Sequence, residues 1–419
     1  MASSILISKN GEYFIEDYPV KKMIEGFGSP FYVYSKEKLI TNFNSFKSHF
    51  NGINHLICFA VKSNSNIGIL NILAENGAGF DIVSGGELER VISAKGDPKK
   101  IVFSGVGKTI DEIRLAINHD ILAFNVESES ELLRIQSVAK SLNKKASISI
   151  RVNPNVDAKT HPYISTGLKD NKFGVNEDEA LQMYKKASKL DSIVIKGIDC
   201  HIGSQITDLS PFTDAIKKLV SLIDHLKSIN INISHVDIGG GLGISYKNET
   251  PPTFKEYSMI VHKLLKDKKI KIIFEPGRAL VANAGVLITK IEYIKQNEDK
   301  RFAITNAGMN DLMRPALYDA FHEIINLSPS KTKKQQYDIV GPICETSDFL
   351  GKNRMLSLDE GNILAILDTG AYGMTMSSNY NSRPKISELM VTGNNIHVIR
   401  ERESYQDLIR GESLLPKAN

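Results

Sequence analysis

A chain of 419 residues with 42% hydrophobic and 24% charged side chains is too long for one ordinary domain and has the balance of a globular protein with two. The formal net charge of +4 is small, and Lys and Arg are interleaved with Asp and Glu, which excludes a nucleic-acid groove built on unbalanced positive charge. Three cysteines, Cys58, Cys200 and Cys344, cannot all pair with one another and match no zinc-binding spacing. Reduced thiols in a cytoplasmic protein are the expectation. No basic stretch followed by an apolar core opens the chain, and no apolar run approaches the ~20 residues of a membrane helix, so no membrane partner is expected.

In chain order, Ser4–Asp17 predicts a hairpin turning at Asn10-Gly11, since both residues tolerate the positive φ of a type I′ turn. From about residue 36 to 280 two periodicities alternate. Apolar, β-branched runs recur at His55–Val61, Gly79–Ser84, Ile101–Ser104, Ile121–Val126, Ala146–Val152, Ile195–Ile202, His235–Ile238 and Lys271–Phe274. Amphipathic segments with helical spacing lie between them, among them Ser128–Lys145, Glu177–Lys189, Phe212–Ser228 and Phe254–Lys268. Parallel strands need crossovers, so the alternation predicts an α/β fold, a (β/α)8 TIM-like barrel over 36–280. The pattern alone leaves an open doubly wound sheet as the alternative. After 281 the rhythm changes: Val286–Ile294, Arg301–Thr305, Gln336–Val340, Asn362–Leu367 and Glu388–Arg400 read as strands without regular helices. A second, β-rich barrel or sandwich domain is expected from residues 1–35 together with 281–419, completed by the N-terminal hairpin.

Chemistry in such a barrel gathers at the C-terminal ends of the strands. Those ends carry Lys62, then Asp81 and Ser84, Arg151 and Asn153, His201 and Ser204, Asp237 with Gly239–Gly241, and finally Glu275 with Arg278. Singly, each has a plain structural reading: a solvated lysine, a hydrogen-bonded histidine, a tight turn, an ion pair. Together on one rim they suit a single ligand. A triple glycine lets backbone N–H groups approach an anion, a lysine can capture an aldehyde, an imidazole can stack on a ring, and a carboxylate keeps a ring nitrogen protonated. Phosphate, aldehyde and basic ring nitrogen together describe pyridoxal phosphate. A dinucleotide site is a poorer match, because Gly239–Gly243 lacks the G-x-G-x-x-G spacing and does not follow the first strand.

At these residues the sequence resembles the alanine-racemase-type barrel enzymes that use pyridoxal phosphate, and within them the group IV decarboxylases acting on diaminopimelate. The likeness covers essentially the whole chain. Phe59–Asn64 matches the family's Tyr-Ala-x-Lys-Ala-Asn, with Phe59 and Ser63 as departures. The resemblance implies that Lys62 carries the cofactor, with Ser84 in the matching segment Asp81–Leu88. It implies that His201 stacks on the ring, Ser204 lies beside the phosphate, and Gly239, Gly240 and Gly241 form the phosphate loop. In Glu275-Pro-Gly277-Arg278 the glutamate meets the pyridine nitrogen, Gly277 belongs to the cofactor segment, and the arginine contacts substrate as well.

Downstream, Met313–Ala320 resembles the substrate segment, with Arg314 and Tyr318 as contacts. Gly341–Asp348 resembles a loop that enters the neighbouring subunit's site, with Cys344 as proton donor and Glu345 as substrate contact. Tyr372 is implied to lie near both cofactor and substrate. The implied activity is decarboxylation of meso-2,6-diaminopimelate to L-lysine and carbon dioxide, the last step of lysine biosynthesis, by a cytoplasmic homodimer with shared active sites and no metal. Arg278 and Arg314 suit the substrate's far carboxylate and Glu345 its ammonium, so ornithine or lysine would leave a desolvated arginine unpaired at a cost of roughly 3–5 kcal/mol. Decarboxylases of ornithine, arginine or carboxynorspermidine on the same scaffold are the alternatives, carboxynorspermidine being the hardest to separate. A non-catalytic homologue is the reading from a different class, and it predicts loss of Lys62 or Cys344, which this chain keeps.

Overall fold

Asn10 and Gly11 take φ of 54° and 81°, as the expected hairpin turn requires, and join β1 (Leu6–Lys9) to β2 (Glu12–Ile15). The structure, a computed structural model, describes residues 5–158, 160–161, 164, 166–167, 171–298 and 300–416. Ser4, at the start of the expected hairpin, lies outside the described residues. A short β3 (Tyr18–Pro19) extends the hairpin to three strands. β4 (Phe31–Ser35) follows and was not expected. All five of its residues are buried, so it lacks the polar alternation that marks a half-exposed strand. The chain divides into two compact units, one of Met1–Lys38 with Ala282–Asn419 and one of Leu39–Val281.

The second unit is the barrel. Its strands are β5 (His55–Ala60), β6 (Gly79–Ile82), β7 (Ile101–Phe103), β8 (Ala123–Val126), β9 (Ala146–Arg151), β10 (Ile193–Asp199), β11 (His235–Asp237) and β12 (Lys271–Phe274). Each pairs in parallel with the next, and β12 closes on β5 through Ile272 opposite His55. All eight expected runs are strands: Lys271–Phe274 is matched residue for residue, Ile121–Val126 starts two residues later, Ile195–Ile202 starts two residues earlier and ends at Asp199, and the other five end one or two residues sooner. The open-sheet alternative is thereby excluded.

Local signals set the helices between them. Asn176 accepts the Glu179 N–H at the start of helix 177–187, and Thr253 forms a reciprocal capping box with Glu256 at the start of helix 254–265. Packing locks the end of β12, where the ring of Phe274 lies 4.2 Å from that of Phe50 and meets Phe46 edge-on at 5.6 Å. Truncating Phe274, only 1% exposed, to alanine is expected to cost about 3–5 kcal/mol and to loosen the residue that follows it, Glu275.

The first unit is β-rich. Its later strands are β13 (Gly285–Asn297), β14 (Lys300–Thr305), β15 (Ile324–Asn326), β16 (Gln335–Val340), β17 (Phe349–Leu356), β18 (Ile363–Ile366), β19 (Ser387–Thr392) and β20 (Asn395–Arg400). The large sheet runs β17-β16-β14-β13-β4-β19-β20, with β18 also on β13 and β15 on β18. One reading is corrected: Glu388–Arg400 is not one strand, because Gly393 at φ 58° reverses the chain between β19 and β20. The N-terminal hairpin completes this unit by covering its core, where Ile5 and Ile15 pack with Phe31, Val33, Val286 and Leu389, while β4 enters the large sheet. Among the described residues no helix is long and apolar enough to cross a membrane.

Candidate active site

Where β5 ends, a single 3-10 turn over Val61–Ser63 carries Lys62 across the barrel rim to Asp81 on β6, with Nζ 2.8 Å from Oδ2. Asp81 is fully buried while the lysine side chain remains 34% exposed, so the amine is anchored from below and open to the rim. The turn also accommodates the Ser63 departure, because that hydroxyl donates to the Ala60 carbonyl at 2.7 Å. A Cβ at Gly277 would fall 2.8 Å from the same hydroxyl oxygen, which leaves room there for glycine only. Ser84 begins helix 85–93 by accepting the Glu87 N–H at 3.2 Å. Burial pushes the Glu87 carboxyl up to about 7, against the Val83 N–H that stabilises its charged form.

His201 follows β10 and meets the glycine turn after β11, where the Gly240 N–H donates to its Nδ1 at 3.1 Å. Its ring proton therefore sits on Nε2. Burial, then the charges of Lys62 and Arg151, hold the imidazole well below its ordinary pKa, so His201 is neutral. Gly239 and Gly241 have φ of 68° and 108°, and a Cβ on Gly240 would stand 2.1 Å from the Glu275 carbonyl oxygen. The Gly239 N–H donates to Asp237 Oδ1 at 2.9 Å, so two of the three amides in this turn face protein groups. Arg278 heads the short helix 278–281 and donates to Tyr246 Oη at 2.8 Å and Ser204 Oγ at 3.0 Å. Its guanidinium, 6% exposed, stands 5.8 Å from the Tyr246 ring centre.

Carboxylates crowd the same end of the barrel. One carboxyl oxygen each from Asp199, Asp237 and Glu275 lies within 4.8 Å of the other two, and all three residues are buried. Burial first, then Asp237, Asp81 and Asp199, drive the Glu275 carboxyl well above the usual range, opposed by Lys62. Burial raises Asp237 to about 7. Arg151 offsets part of the charge, with NH1 3.1 Å from Glu127 and Nε 3.7 Å from Asp199. Asp81 Oδ1, Asp199 Oδ1 and Asp237 Oδ2 accept no hydrogen bond, although buried acceptors are normally satisfied. Such acceptors fit a protonated ring nitrogen, and the half-buried lysine on the same rim fits an aldehyde.

The β-rich unit carries the remaining expected residues. Arg314 heads helix 314–318, is 5% exposed, and has NH1 2.7 Å from His322 Nε2. His322 Nδ1 lies 2.8 Å from the Leu367 carbonyl, so the imidazole donates there and accepts from the arginine. Tyr318 is half-buried. Cys344 and Glu345 are exposed on a loop whose form is fixed by buried Asp348, which accepts the N–H groups of Met309 and Ile343 at 2.6 and 2.7 Å. The Cys344 N–H donates to Asn381 Oδ1 at 2.8 Å, and the Tyr380 hydroxyl donates to Glu345. Tyr372 sits at φ 56°, a conformation that costs a non-glycine residue of order 1–3 kcal/mol.

Sequence reasoning placed Asp81, Arg151 and Asp237 at strand ends without roles and passed over Asp199. The period of two was the available signal, since it sets Asp199 on the face of His201 and Asp237 on the face of Gly239. His322, Tyr246 and Tyr380 carried no signal of their own.

Fold and rim together fit the class of barrel enzymes that work with a pyridoxal cofactor. Residues 36–282 match the family described as pyridoxal-dependent decarboxylase, pyridoxal binding domain. A diaminopimelate decarboxylase of Vibrio cholerae is 54% identical over 410 residues, covering 98% of either chain. The diaminopimelate decarboxylase of Helicobacter pylori, solved with L-lysine, superposes with a TM-score of 0.91 at 46% identity, over 93% of this chain and 98% of that one. That of M. jannaschii, also with L-lysine, gives 0.93 at 42% identity over 98% of each. The chain belongs to the diaminopimelate decarboxylase family of pyridoxal-dependent decarboxylases.

Proposed function

We propose that this protein uses pyridoxal phosphate to decarboxylate meso-2,6-diaminopimelate to L-lysine and carbon dioxide, as a cytoplasmic homodimer. The observation that carries the reading is the rim of the barrel: a half-buried lysine anchored on Asp81, a neutral His201, a glycine turn and a buried acid cluster around Glu275. Family membership over nearly the full length supports the substrate, and so do two relatives solved with L-lysine.

The bound cofactor supplies an aldehyde that takes an amine and a ring that accepts the electron pair of a breaking bond. The chain does the rest. Lys62 would hold the cofactor through its amine, at the rim where a substrate amine can reach it. Glu275 keeps a proton on the ring nitrogen. Neutral His201 offers a ring face without adding charge beside that nitrogen, and Ser84, Ser204, Gly277, Tyr372 and the turn Gly239–Gly241 complete the cofactor's seat. The Gly239 and Gly240 amides already serve Asp237 and His201, so Gly241 would be the residue of this turn with an amide to offer the cofactor's phosphate.

Arg278 and Arg314 bind the carboxylate that is not lost, Tyr318 and Tyr372 line the substrate, and Glu345 takes the distal ammonium. Once carbon dioxide has left, the Cys344 thiol delivers a proton to the vacated carbon. A thiol carries a transferable proton and can serve as a general acid. Cys344 and Glu345 act in the partner subunit's site.

The test is carbon dioxide release from diaminopimelate, ornithine, lysine, arginine and carboxynorspermidine, alongside borohydride fixation of the cofactor on Lys62. Diaminopimelate should exceed the others in kcat/KM by about a hundredfold or more, the value of one stranded arginine. Comparable turnover of ornithine or carboxynorspermidine would overturn the substrate, and failure to fix the cofactor would overturn the chemistry.

A further inference from the structure

Three buried carboxyl groups, each with one oxygen within 4.8 Å of the other two, cannot all be ionised. Like charges at that range in a low dielectric force a proton to be shared. The surrounding charges do not remove the need. Asp81 on β6 and Glu127 after β8 add negative charge, while Lys62 is held by Asp81 and Arg151 is divided between Glu127 and Asp199. The nearby Cys58 and Cys200 thiols are pushed up by burial and stay neutral, as does His201. Ser104 Oγ and Asn125 Nδ2 reach only to 3.5 Å from Glu275 Oε1. The Gly239 N–H satisfies one oxygen of Asp237 and leaves its Oδ2 without a donor. A proton carried by Glu275 toward Asp237 relieves both the repulsion and the orphaned acceptor.

The geometry points to Asp237, backed by Asp199, as a positioning residue that keeps a proton on Glu275 before the cofactor arrives, so that the ring nitrogen is protonated by the barrel itself. The inference rests on the pyridoxal phosphate reading above. The transfer balances: the Glu275 O–H bond breaks, an N–H bond forms at the ring nitrogen, and the charge left on Glu275 faces the new cation. The cluster stays within the charge it can hold, because the cation replaces the proton as the group that offsets Glu275.

Calorimetry of pyridoxal phosphate binding to the cofactor-free protein, in buffers of different ionisation enthalpy, counts the protons taken from solvent. The Asp237→Asn variant removes the charge that makes Glu275 retain its proton, so its uptake should exceed that of wild type by about one proton per site. Capture of the aldehyde by Lys62 contributes equally to both and cancels in the difference. Equal uptake in the two proteins would overturn the inference.

Infrared difference spectra of the wild type give a measurement independent of how the variant folds. A protonated-carboxyl band should be lost when the cofactor binds, and the Glu275→Gln protein should lack it. A wild-type protein with no such band, or one that carries a stoichiometric metal ion by mass spectrometry in place of the proton, also overturns the inference. Absence of cofactor binding altogether would instead strike the functional reading on which this one rests.

Discussion

The barrel and the β-rich unit hold their functional groups in opposite ways. In the barrel, Glu275, Asp237 and Asp81 are buried on strands or at strand ends, and their neighbours in space are fixed by the register of parallel pairs. In the β-rich unit, Cys344 and Glu345 stand exposed on a loop whose shape depends on its own buried Asp348 and on Asn381 and Tyr380 reaching in from elsewhere in the sequence. Buried charge tunes proton affinity, which suits a site that must hold a cofactor in one protonation state. Exposed loop groups stay accessible from outside the unit, which suits the proton delivery and substrate recognition proposed for them.

The largest effect should come from the barrel. Lys62→Ala is expected to lower kcat by about 10⁴-fold, the upper range for one positioned acid–base group, and to abolish the borohydride-stable cofactor adduct. Residual activity within tenfold of wild type would separate the lysine from the chemistry. Next comes the loop. Cys344→Ala should lower kcat by about 10²–10³-fold with little change in KM, because a donor used after bond cleavage adds nothing to ground-state binding. Mixing that chain with the Lys62→Ala chain sharpens the contrast. Heterodimers should regain part of the activity if loop and barrel residues meet across subunits, and verified heterodimers without recovery would end the shared-site idea.

A smaller effect is expected from specificity. Arg314→Met keeps side-chain bulk but removes the carboxylate's partner. The preference for diaminopimelate over lysine should shrink by about a hundredfold, mostly through KM for diaminopimelate. An unchanged preference would move recognition of the far carboxylate to Arg278 alone.

This contrast also explains what could be read from the sequence. The barrel was legible because every β/α unit repeats one period change, and because Lys62, His201, the glycine turn and Glu275 all follow apolar runs directly. Local order is enough to place such residues on one rim. β4 escaped notice because a strand buried on both faces shows no alternation, and β19–β20 were merged because their turn, Gly393-Asn394, interrupts the apolar pattern by only two residues. Arg314, Cys344 and Glu345 stood out only through family resemblance. Nothing local distinguishes them, since the partners that orient them, such as His322 and Asn381, are set by tertiary packing.

The smallest predicted effect tests whether a raised carboxyl outside the barrel is merely structural. Asp311 is 2% exposed and accepts the Gly308 N–H at 3.0 Å, yet burial pushes its carboxyl up to about 7. In the unfolded chain an aspartate titrates near 3.9. Between those values the folded chain holds a proton that the unfolded chain releases. The stability this group lends is therefore complete below about pH 4 and is lost as pH rises through about 7. Asp311→Asn removes the titration while keeping a neutral group of the same shape, and its amide N–H can donate to Asn310 Oδ1, which has no partner in the wild type. The variant's Tm, measured against wild type, should gain a few degrees on moving from pH 5 to pH 8, in keeping with ~2–4 °C per kcal/mol for a domain of this size. A Tm difference independent of pH would mean that Asp311 is already ionised in the fold, with Arg383 and Arg402 outweighing its burial. An unchanged kcat would place its raised proton affinity on the structural side of the contrast, whereas the barrel's carboxyls should alter cofactor binding when neutralised.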